Sequence, residues 1–519
     1  MALPQFGSSR HWCFLLCVWT APIAFAVAAM MSGCGQPGTS AQLLSQASTV
    51  SQGDHHGAAG LPAVVSSLEA PGAPVWASDP IWQAQMRHLG SLPFSPSVLE
   101  LCAGAGTASL ALNLLLGPDK VCLAGAWDTD VACRAIHEVI HGAGHPGFHF
   151  GQPAGDIMAT SLDKFPDSNI LVAGPPCPPF SSSGKRRALE DPRAAPFQRC
   201  VDVLAELDSR SHCAAGSDSA SRDELMFFLL ENVMGISHTP SDESGGEAPL
   251  HTLVLELQSR LGAAWQVQHV QANALDFGLP QSRPRIYIVG RKAKFYTQHI
   301  PGGPARFRNQ VRPGQLLDKE NNQAPHLTAL QSQCLEAWKQ KHSAAMDNPA
   351  FLGQVAIVEA GRDPSGRTAW SRRTGTNPLP VDRCQCLRAS GPKLHVFSLG
   401  EGSQALSLDR LITVRERAAL QGFPDSIGQL PLTETVGCRV FGNAMSVPVV
   451  GSMMAIELAA ILASWRAAAA AAQPCPQAQP HTPPPLLDGA QRLLRTSQTN
   501  LHPDQWRAGR QAAATMPAS

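Results

Sequence analysis

The chain has 519 residues, 44% of them hydrophobic, which is room for two or three domains and a sizeable core. Lys plus Arg and Asp plus Glu both number 40, so the net charge is zero and a polyanion must be met by a local patch, not by the field of the whole molecule. The 14 cysteines are spread singly, without a CxxC pair or a Cys/His cluster at zinc spacing, and the closest pair, Cys384 and Cys386, is too tight for a metal knuckle. Reduced thiols and no structural metal are expected.

Trp12 to Met31 is an uncharged, largely apolar run of 20 residues preceded by Arg10 and followed by "SGCG". Residues 1–35 therefore read as a signal peptide or anchor, or as an inert extension. The chain is then Ser/Gly/Ala/Pro-rich and free of Lys and Arg to about Trp82, which predicts a disordered linker over 36–90. The informative stretch runs from about Ser91 to Trp465.

It opens with "SVLELCAGAGTASLALNLLLG": a strand over Val98–Cys102, a turn through Gly104 and Gly106, and a helix from about Thr107. A tight glycine turn between strand and helix lets a ligand approach the backbone. "VCLAGAWDTDVACRAIHEVIHG" repeats the pattern and puts Asp128 at a strand's carboxyl end, 24 residues beyond Gly104. That is close to the offset of about 20 residues at which such folds bind ribose hydroxyls. "AGDIMAT" offers Asp156 as an acceptor for an exocyclic amine. Three such turns at the same end of successive strands favour a nucleoside cofactor.

"NILVAGPPCPPFSSSGKRR" follows, a strand over Asn169–Ala173 and then Cys177 fenced by two proline pairs, with Lys185, Arg186 and Arg187 just beyond. Prolines restrict φ and fix the thiol's direction, and nearby positive charge favours its ionisation. The segment 208–224, "DSRSHCAAGSDSASRDE", reads as a surface loop. In "ELMFFLLENV" a strand over Met226–Leu230 ends at Glu231; "LHTLVLELQSRLG" is a helix with Leu253, Leu257 and Leu261 on one face. "QSRPRIYIVGRK" brings Gln281, Arg283 and Arg285 to the start of another strand. The alternation predicts an α/β fold around a mostly parallel sheet. A thiol, a carboxylate and paired guanidinium groups could then converge on one planar, polar substrate.

Beyond Arg291 the rhythm fades. Phe277 to Leu317 carries eight Lys/Arg and no acid, and "GRDPSGRTAWSRRTGT" adds four arginines around Trp370, among them Arg372 and Arg373. Basic groups with an interleaved aromatic suit phosphate contact and base stacking. In "TVRERAALQGFPDSI", Arg415, Glu416 and Arg417 read as structural ion pairs on a helix, and the apolar helix after "VGCRVFGNAMSVPV" reads as core rather than membrane. The Ala/Pro/Gln-rich 467–519 reads as a disordered tail.

Taken in order, "ELCAGAGT", "WDTD", "GDI", "GPPCPPFS", "ENV", "QSRPR", "RERAALQGFP" and "GNAMSVPV" resemble the motifs of the cytosine-5 DNA methyltransferase family, over about 98–291 and 405–465. The resemblance implies a Rossmann-like S-adenosylmethionine methyltransferase sheet over 91–291 and 405–466, a smaller loop-rich target-recognition region over 292–404, and disordered termini. It implies S-adenosylmethionine as cofactor, held by Cys102, Gly104, Gly106, Asp128, Asp156 and Asn443; Cys102 stands where the family often has Phe. It implies Cys177 as the nucleophile that adds to cytosine C6, Glu231 on N3 and the exocyclic amine, Arg285 on O2, and Arg283 as a supporting positive group. It also implies duplex DNA as partner, with the target base flipped out and Lys185, Arg186, Arg187, Arg372 and Arg373 on the phosphates. The Cys-Phe-Thr tripeptide of the family's tRNA-methylating branch is absent from the sequence. Methylation of RNA and a non-catalytic scaffold remain as alternative readings. A DNA enzyme is expected in the nucleus or an organelle such as a plastid, while the apolar N-terminus points to a secretory or membrane route.

Overall fold

The computed structural model describes residues 74–141, 155–177, 180, 191–213, 224–238, 247–295, 303–318, 328–346, 354–360, 383–389, 393–399, 409–428, 430 and 432–472. Residues 1–35, Lys185 to Arg187 and the pair Arg372 and Arg373 lie outside the described residues. The chain divides into two units, 1–464 and 465–519, and of the second only the end of one helix is described.

Six strands form the main sheet: β1 (Ser97–Leu101), β2 (Cys122–Trp127), β3 (Ile170–Ala173), β4 (Phe227–Val233), β5 (Trp265–Asn273) and β7 (Pro284–Lys292). Their order is β2-β1-β3-β4-β7-β5. β2, β1, β3 and β4 are parallel, whereas β7 runs antiparallel to both β4 and β5. The parallel strands are near-continuous apolar runs because helices cover both faces of such a sheet, and every residue of β3 is buried. β5 sits at the edge and alternates exposed and covered positions instead.

The predicted linker over 36–90 is overturned at its end. Val75–Ser78 forms a helical turn and Pro80–Leu89 a helix, α1, with Trp76, Trp82 and Leu89 buried. Asp79 caps α1 by accepting from the Ile81 amide at 2.8 Å, and Pro80 takes the first turn, where its missing N–H costs nothing. The Trp76 indole donates to Gly422 O at 3.0 Å, which ties this N-terminal piece to the far end of the domain.

α2 (Thr107–Leu116) is buried along its whole length. α9 (Val447–Ala472) runs beside it: a Cβ on Gly451 would lie 2.6 Å from the Trp82 ring and 3.3 Å from Ala111, so only glycine permits this approach. The most apolar window in Glu434–Ala471 is 89% buried, so this helix is core, as its sequence suggests. It also carries residues 467–472, which were assigned to the disordered tail. Leu253, Leu257 and Leu261 of α5 (Pro249–Leu261) are buried in one cluster with Phe228, Trp265 and Ile288.

The start of the predicted 208–224 loop is also corrected. α4 (Ala195–Cys213) continues through Asp208, because its apolar face extends to Leu207 and no glycine or proline interrupts it after Pro196. Lys292 at the end of β7 closes the stem, with Nζ 3.2 Å from Asp208 and 2.8 Å from Glu224.

The smaller region holds an antiparallel sheet of β8 (Val355–Ala360), β10 (Lys393–Ser398) and β11 (Asp409–Leu411), in the order β11-β10-β8. Trp338 of α6 (Ala329–Met346) stacks on Phe397 of β10 with ring centroids 5.4 Å apart. A two-residue strand, β9 (Cys384–Gln385), pairs in parallel with β6 (Gln281–Ser282) and joins this region to the catalytic segment. On α7 (Val414–Leu420), Arg415 meets Asp425 at 2.8 Å, Glu416 meets Arg410 at 2.7 Å and Arg417 meets Glu434 at 3.8 Å, so the triplet does form structural ion pairs.

Candidate active site

The cofactor loop leaves β1 through three residues in the left-handed region: Cys102 (φ 49°), Gly104 (φ 57°) and Gly106 (φ 71°). Cys102 is the sole non-glycine at positive φ among the described residues, and such strain persists only where the surroundings fix it. Its thiol hydrogen-bonds that of Cys200 on α4, and this contact together with burial raises the Cys102 thiol well above the ordinary range. Cys102 thus packs into the core rather than standing in for an aromatic face.

Asp128, directly after β2, accepts from the Gly104 amide at 2.8 Å through one oxygen and from the Asp130 amide at 2.8 Å through the other. Burial raises its carboxyl against these bonds. Asp156 accepts from the Met158 amide at 2.8 Å. A Cβ on Gly155 would fall 2.1 Å from Asp128 O, so the glycine is what lets the third turn close on the second. Gly104, by contrast, presents a face that no atom approaches within 4 Å, a bare stretch of backbone open to a ligand. Asn443 ends α8 (Glu434–Asn443) with its side chain exposed, and Met445 just beyond it reaches to 3.9 Å of where a Cβ on Gly174 would stand. The last motif therefore does return beside β1 and β3.

The helix end behind this loop is already occupied. The buried Glu100 carboxylate accepts from the Ser109 amide at 2.8 Å and the Ala108 amide at 3.4 Å, and lies 3.6 Å from His137. Burial works to raise this carboxyl, yet the bonds to His137 and Ser109 hold it below its usual range. The amides that a dinucleotide fold offers to pyrophosphate are thus engaged by a side chain, which suits a cofactor without phosphate.

Cys177 follows β3 and is half-buried. Asn232 Nδ2 donates to Pro175 O at 3.3 Å and the Phe180 amide to Cys177 O at 3.0 Å, fixing the loop on both sides of the thiol. Burial and the charge of Glu231 raise the Cys177 thiol, while Arg285 and Arg283 pull it down. Among the described residues, the positive charge that favours its thiolate comes from these two arginines.

Glu231 lies inside β4, not past its end: the ladder with β7 continues through Glu231 opposite Tyr287 to Val233 opposite Arg285. The apolar run stops at Leu230, but backbone pairing does not need apolar side chains. Across the ladder, Arg285 Nε sits 2.9 Å from Glu231 Oε1; Glu231 is buried and Arg285 is partly covered. Arg285 also donates through Nη1 to Pro284 O at 2.9 Å.

Arg283 is placed differently from the supporting role expected of it. Its guanidinium donates to Leu387 O at 3.0 Å, Gly442 O at 3.3 Å and Ala444 O at 2.8 Å. Its charge still reaches Cys177, but by contact it is a clamp between the smaller region and the last motif. Gln281 does the same work, donating to Leu420 O at 2.8 Å and accepting from the Leu387 amide at 2.9 Å. Sequence reasoning also missed Cys386, whose sulfur lies 3.2 Å from Arg283 Nη1 and 3.7 Å from Arg285 Nη2. Six of the eight basic residues of 277–317 are engaged: Arg283 as above, Arg285 with Glu231, Arg291 with Glu457, Lys292 with Asp208 and Glu224, Lys294 with Glu224, and Arg306 with Asp276. Arg283, Arg285, Arg291 and Lys292 of this run are turned inward, whereas Lys294, Arg306, Arg308 and Arg312 remain exposed, so only half of its charge faces solvent.

The family model described as C-5 cytosine-specific DNA methylase matches residues 97–455. The chain belongs to this family. Its relatives in the C-5 cytosine-specific DNA methylase family include the type II methyltransferase M.NgoBI of Neisseria gonorrhoeae, 31% identical over 304 residues that cover 58% of this chain and 78% of the relative. The type II methyltransferase M.DsaV of Dactylococcopsis salina is 27% identical over 353 residues, covering 68% of this chain and 83% of its own. Among solved structures, the Dnmt2 methyltransferase of S. pombe covers 70% of this chain and 98% of its own at 17% identity and a TM-score of 0.42, a likeness too slight to bear on substrate.

Proposed function

We propose that this protein methylates cytosine at C5 in duplex DNA, with Cys177 as the nucleophile. The observation that carries the reading is the convergence of Cys177, Glu231 and Arg285 at the carboxyl ends of β3 and β4 and the start of β7, with a bare glycine turn nearby.

Cytosine C5 is a poor nucleophile. Addition of the Cys177 sulfur to C6 forms an S–C6 bond and makes the neighbouring C5 enamine-like and electron-rich. Glu231 holds N3 and the exocyclic amine, and Arg285 holds O2; their 2.9 Å ion pair keeps the two groups side by side before the base arrives. S-adenosylmethionine, when bound, supplies an electrophilic methyl group. The Gly104–Gly106 turn with Asp128, Asp156 and Asn443 would hold it, and the open backbone face of Gly104 beside the Asp128 carboxylate fits such a group. Loss of the C5 proton and breakage of the S–C6 bond return the thiolate and complete the turnover. A base within a duplex must leave the stack to reach these groups, and Lys185, Arg186, Arg187, Arg372 and Arg373 would steady the flanking phosphates.

Purified protein, incubated with isotope-labelled S-adenosylmethionine and either duplex DNA or tRNA, tests the reading by nucleoside mass spectrometry. Labelled 5-methylcytosine in DNA is expected. Label in tRNA alone, or in neither, would sink it.

A further inference from the structure

Cys386 is in hydrogen-bond reach of both arginines, and the reaction above has no use for it. It is brought there by backbone: β9 pairs with β6, the Cys384 amide donates to Pro280 O at 2.6 Å, and the Leu387 amide donates to Gln281 Oε1 at 2.9 Å. These bonds leave Cys386 half-buried, with its sulfur against Arg283 Nη1 at 3.2 Å and Arg285 Nη2 at 3.7 Å. The Arg285 guanidinium is thus held on three edges, by Glu231 at Nε, Pro284 O at Nη1 and Cys386 at Nη2.

We propose that Cys386 is a positioning residue for the methyl transfer: its sulfur is the shared acceptor that keeps Arg283 on its clamp and turns Arg285 toward Glu231 and the base. The proposal rests on the cytosine reading of the site. Its logic is charge balance. Two guanidinium groups face one another in this cluster, and Glu231 supplies a single negative charge. A thiolate at Cys386 supplies the second. Burial pushes the Cys386 thiol up, but the charges of Arg283 and Arg285 and their hydrogen bonds outweigh it and hold the thiol below its ordinary range. The opposing contact is Leu387 O, 3.3 Å from the sulfur, to which a protonated thiol would donate. On the same segment Cys384 of β9 is raised well above the ordinary thiol range by burial, and Arg383 and Arg388 flank the two thiols in sequence. Glu231 and Tyr287 complete the charged and titratable surroundings of the arginines on β4 and β7. The two arginines thus pull the Cys386 thiol down, whereas burial and the charge of Glu231 push the Cys177 thiol up.

Two measurements on the full chain test this. The first is the pH dependence of alkylation by iodoacetamide, followed peptide by peptide in a mass spectrometer; the thiolate displaces iodide from carbon and forms a thioether. The expected midpoint for Cys386 lies below the ordinary thiol value of about 8.5. A midpoint at or above that value overturns the proposal. The second is steady-state methylation by Cys386→Ala and Cys386→Ser. The expected result for Cys386→Ala is a fall of about tenfold in kcat with KM for both substrates changed by less than about threefold, and a smaller fall for Cys386→Ser, which keeps an acceptor without a charge. A kcat within about twofold of wild type in Cys386→Ala overturns the proposal, and if that variant does not fold, Cys386→Ser is held to the same criterion. Wild-type protein that methylates no cytosine substrate sinks the cytosine reading instead, and the positioning role then stands or falls on the alkylation midpoint.

Discussion

Replacing Arg283 by Ala removes the donor that joins three segments of chain. Of its carbonyl partners, Ala444 O keeps Gln421 Nε2 at 3.2 Å, so Leu387 O and Gly442 O bear the loss. Hydrogen bonds from a charged group contribute about 1.5–3 kcal/mol each, which gives about 3–6 kcal/mol for two. Removing a buried guanidinium also relieves its desolvation, and that brings the net loss to roughly 2–4 kcal/mol. With an m-value of about 3 kcal/mol/M, the urea midpoint should fall by roughly 1 M, followed by tryptophan fluorescence of the full chain. Arg283→Lys should recover little, because one ammonium cannot span Leu387 O and Ala444 O as the planar fork does. A midpoint within about 0.3 M of wild type for Arg283→Ala, or full recovery by lysine, would refute the clamp.

Gly155→Ala should weaken S-adenosylmethionine binding by about tenfold or more in calorimetry, since its Cβ would displace Asp128 from 2.1 Å; unchanged affinity would detach Asp128 from the cofactor site. Trp82→Ala should cost about 3–5 kcal/mol, because the ring is fully buried between α1 and α9; a cost below about 1 kcal/mol would return this segment to a linker. Burial pushes the Glu457 carboxyl up to about 7, against the Arg291 guanidinium 3.1 Å away. A carboxyl raised on folding contributes stability that is full below its unfolded value of about 4.3 and is lost as pH rises through the folded value, on the order of 3 kcal/mol in all. Glu457→Gln should flatten that slope in denaturation curves taken across this window, and an unchanged slope would assign it elsewhere.

The cofactor turns were legible because glycine and acid at fixed offsets from an apolar strand leave few conformations open, and Gly104 and Gly155 both close on Asp128. α1 was equally readable in its Asp79–Pro80 start and Gly90 end, but composition averaged over 36–90 hid them. The basic run of 277–317 reads as one surface because a charge count does not see partners distant in sequence: Glu457 for Arg291, Asp208 for Lys292. Arg283 and Cys386 share that cause. Their roles come from β9 pairing with β6 across about a hundred residues of chain, a register that no local pattern encodes.

Methyl transfer by this site depends on one bond, between Cys177 and C6 of cytosine. Duplex DNA carrying 5-fluorocytosine, in which fluorine takes the place of the proton that must leave C5, traps that bond after methyl transfer. Digestion and mass spectrometry of the trapped complex should find the modified nucleotide on the peptide containing Cys177, and Cys177→Ser protein should form no adduct. An adduct on any other cysteine, or an undiminished adduct in Cys177→Ser, would contradict the account.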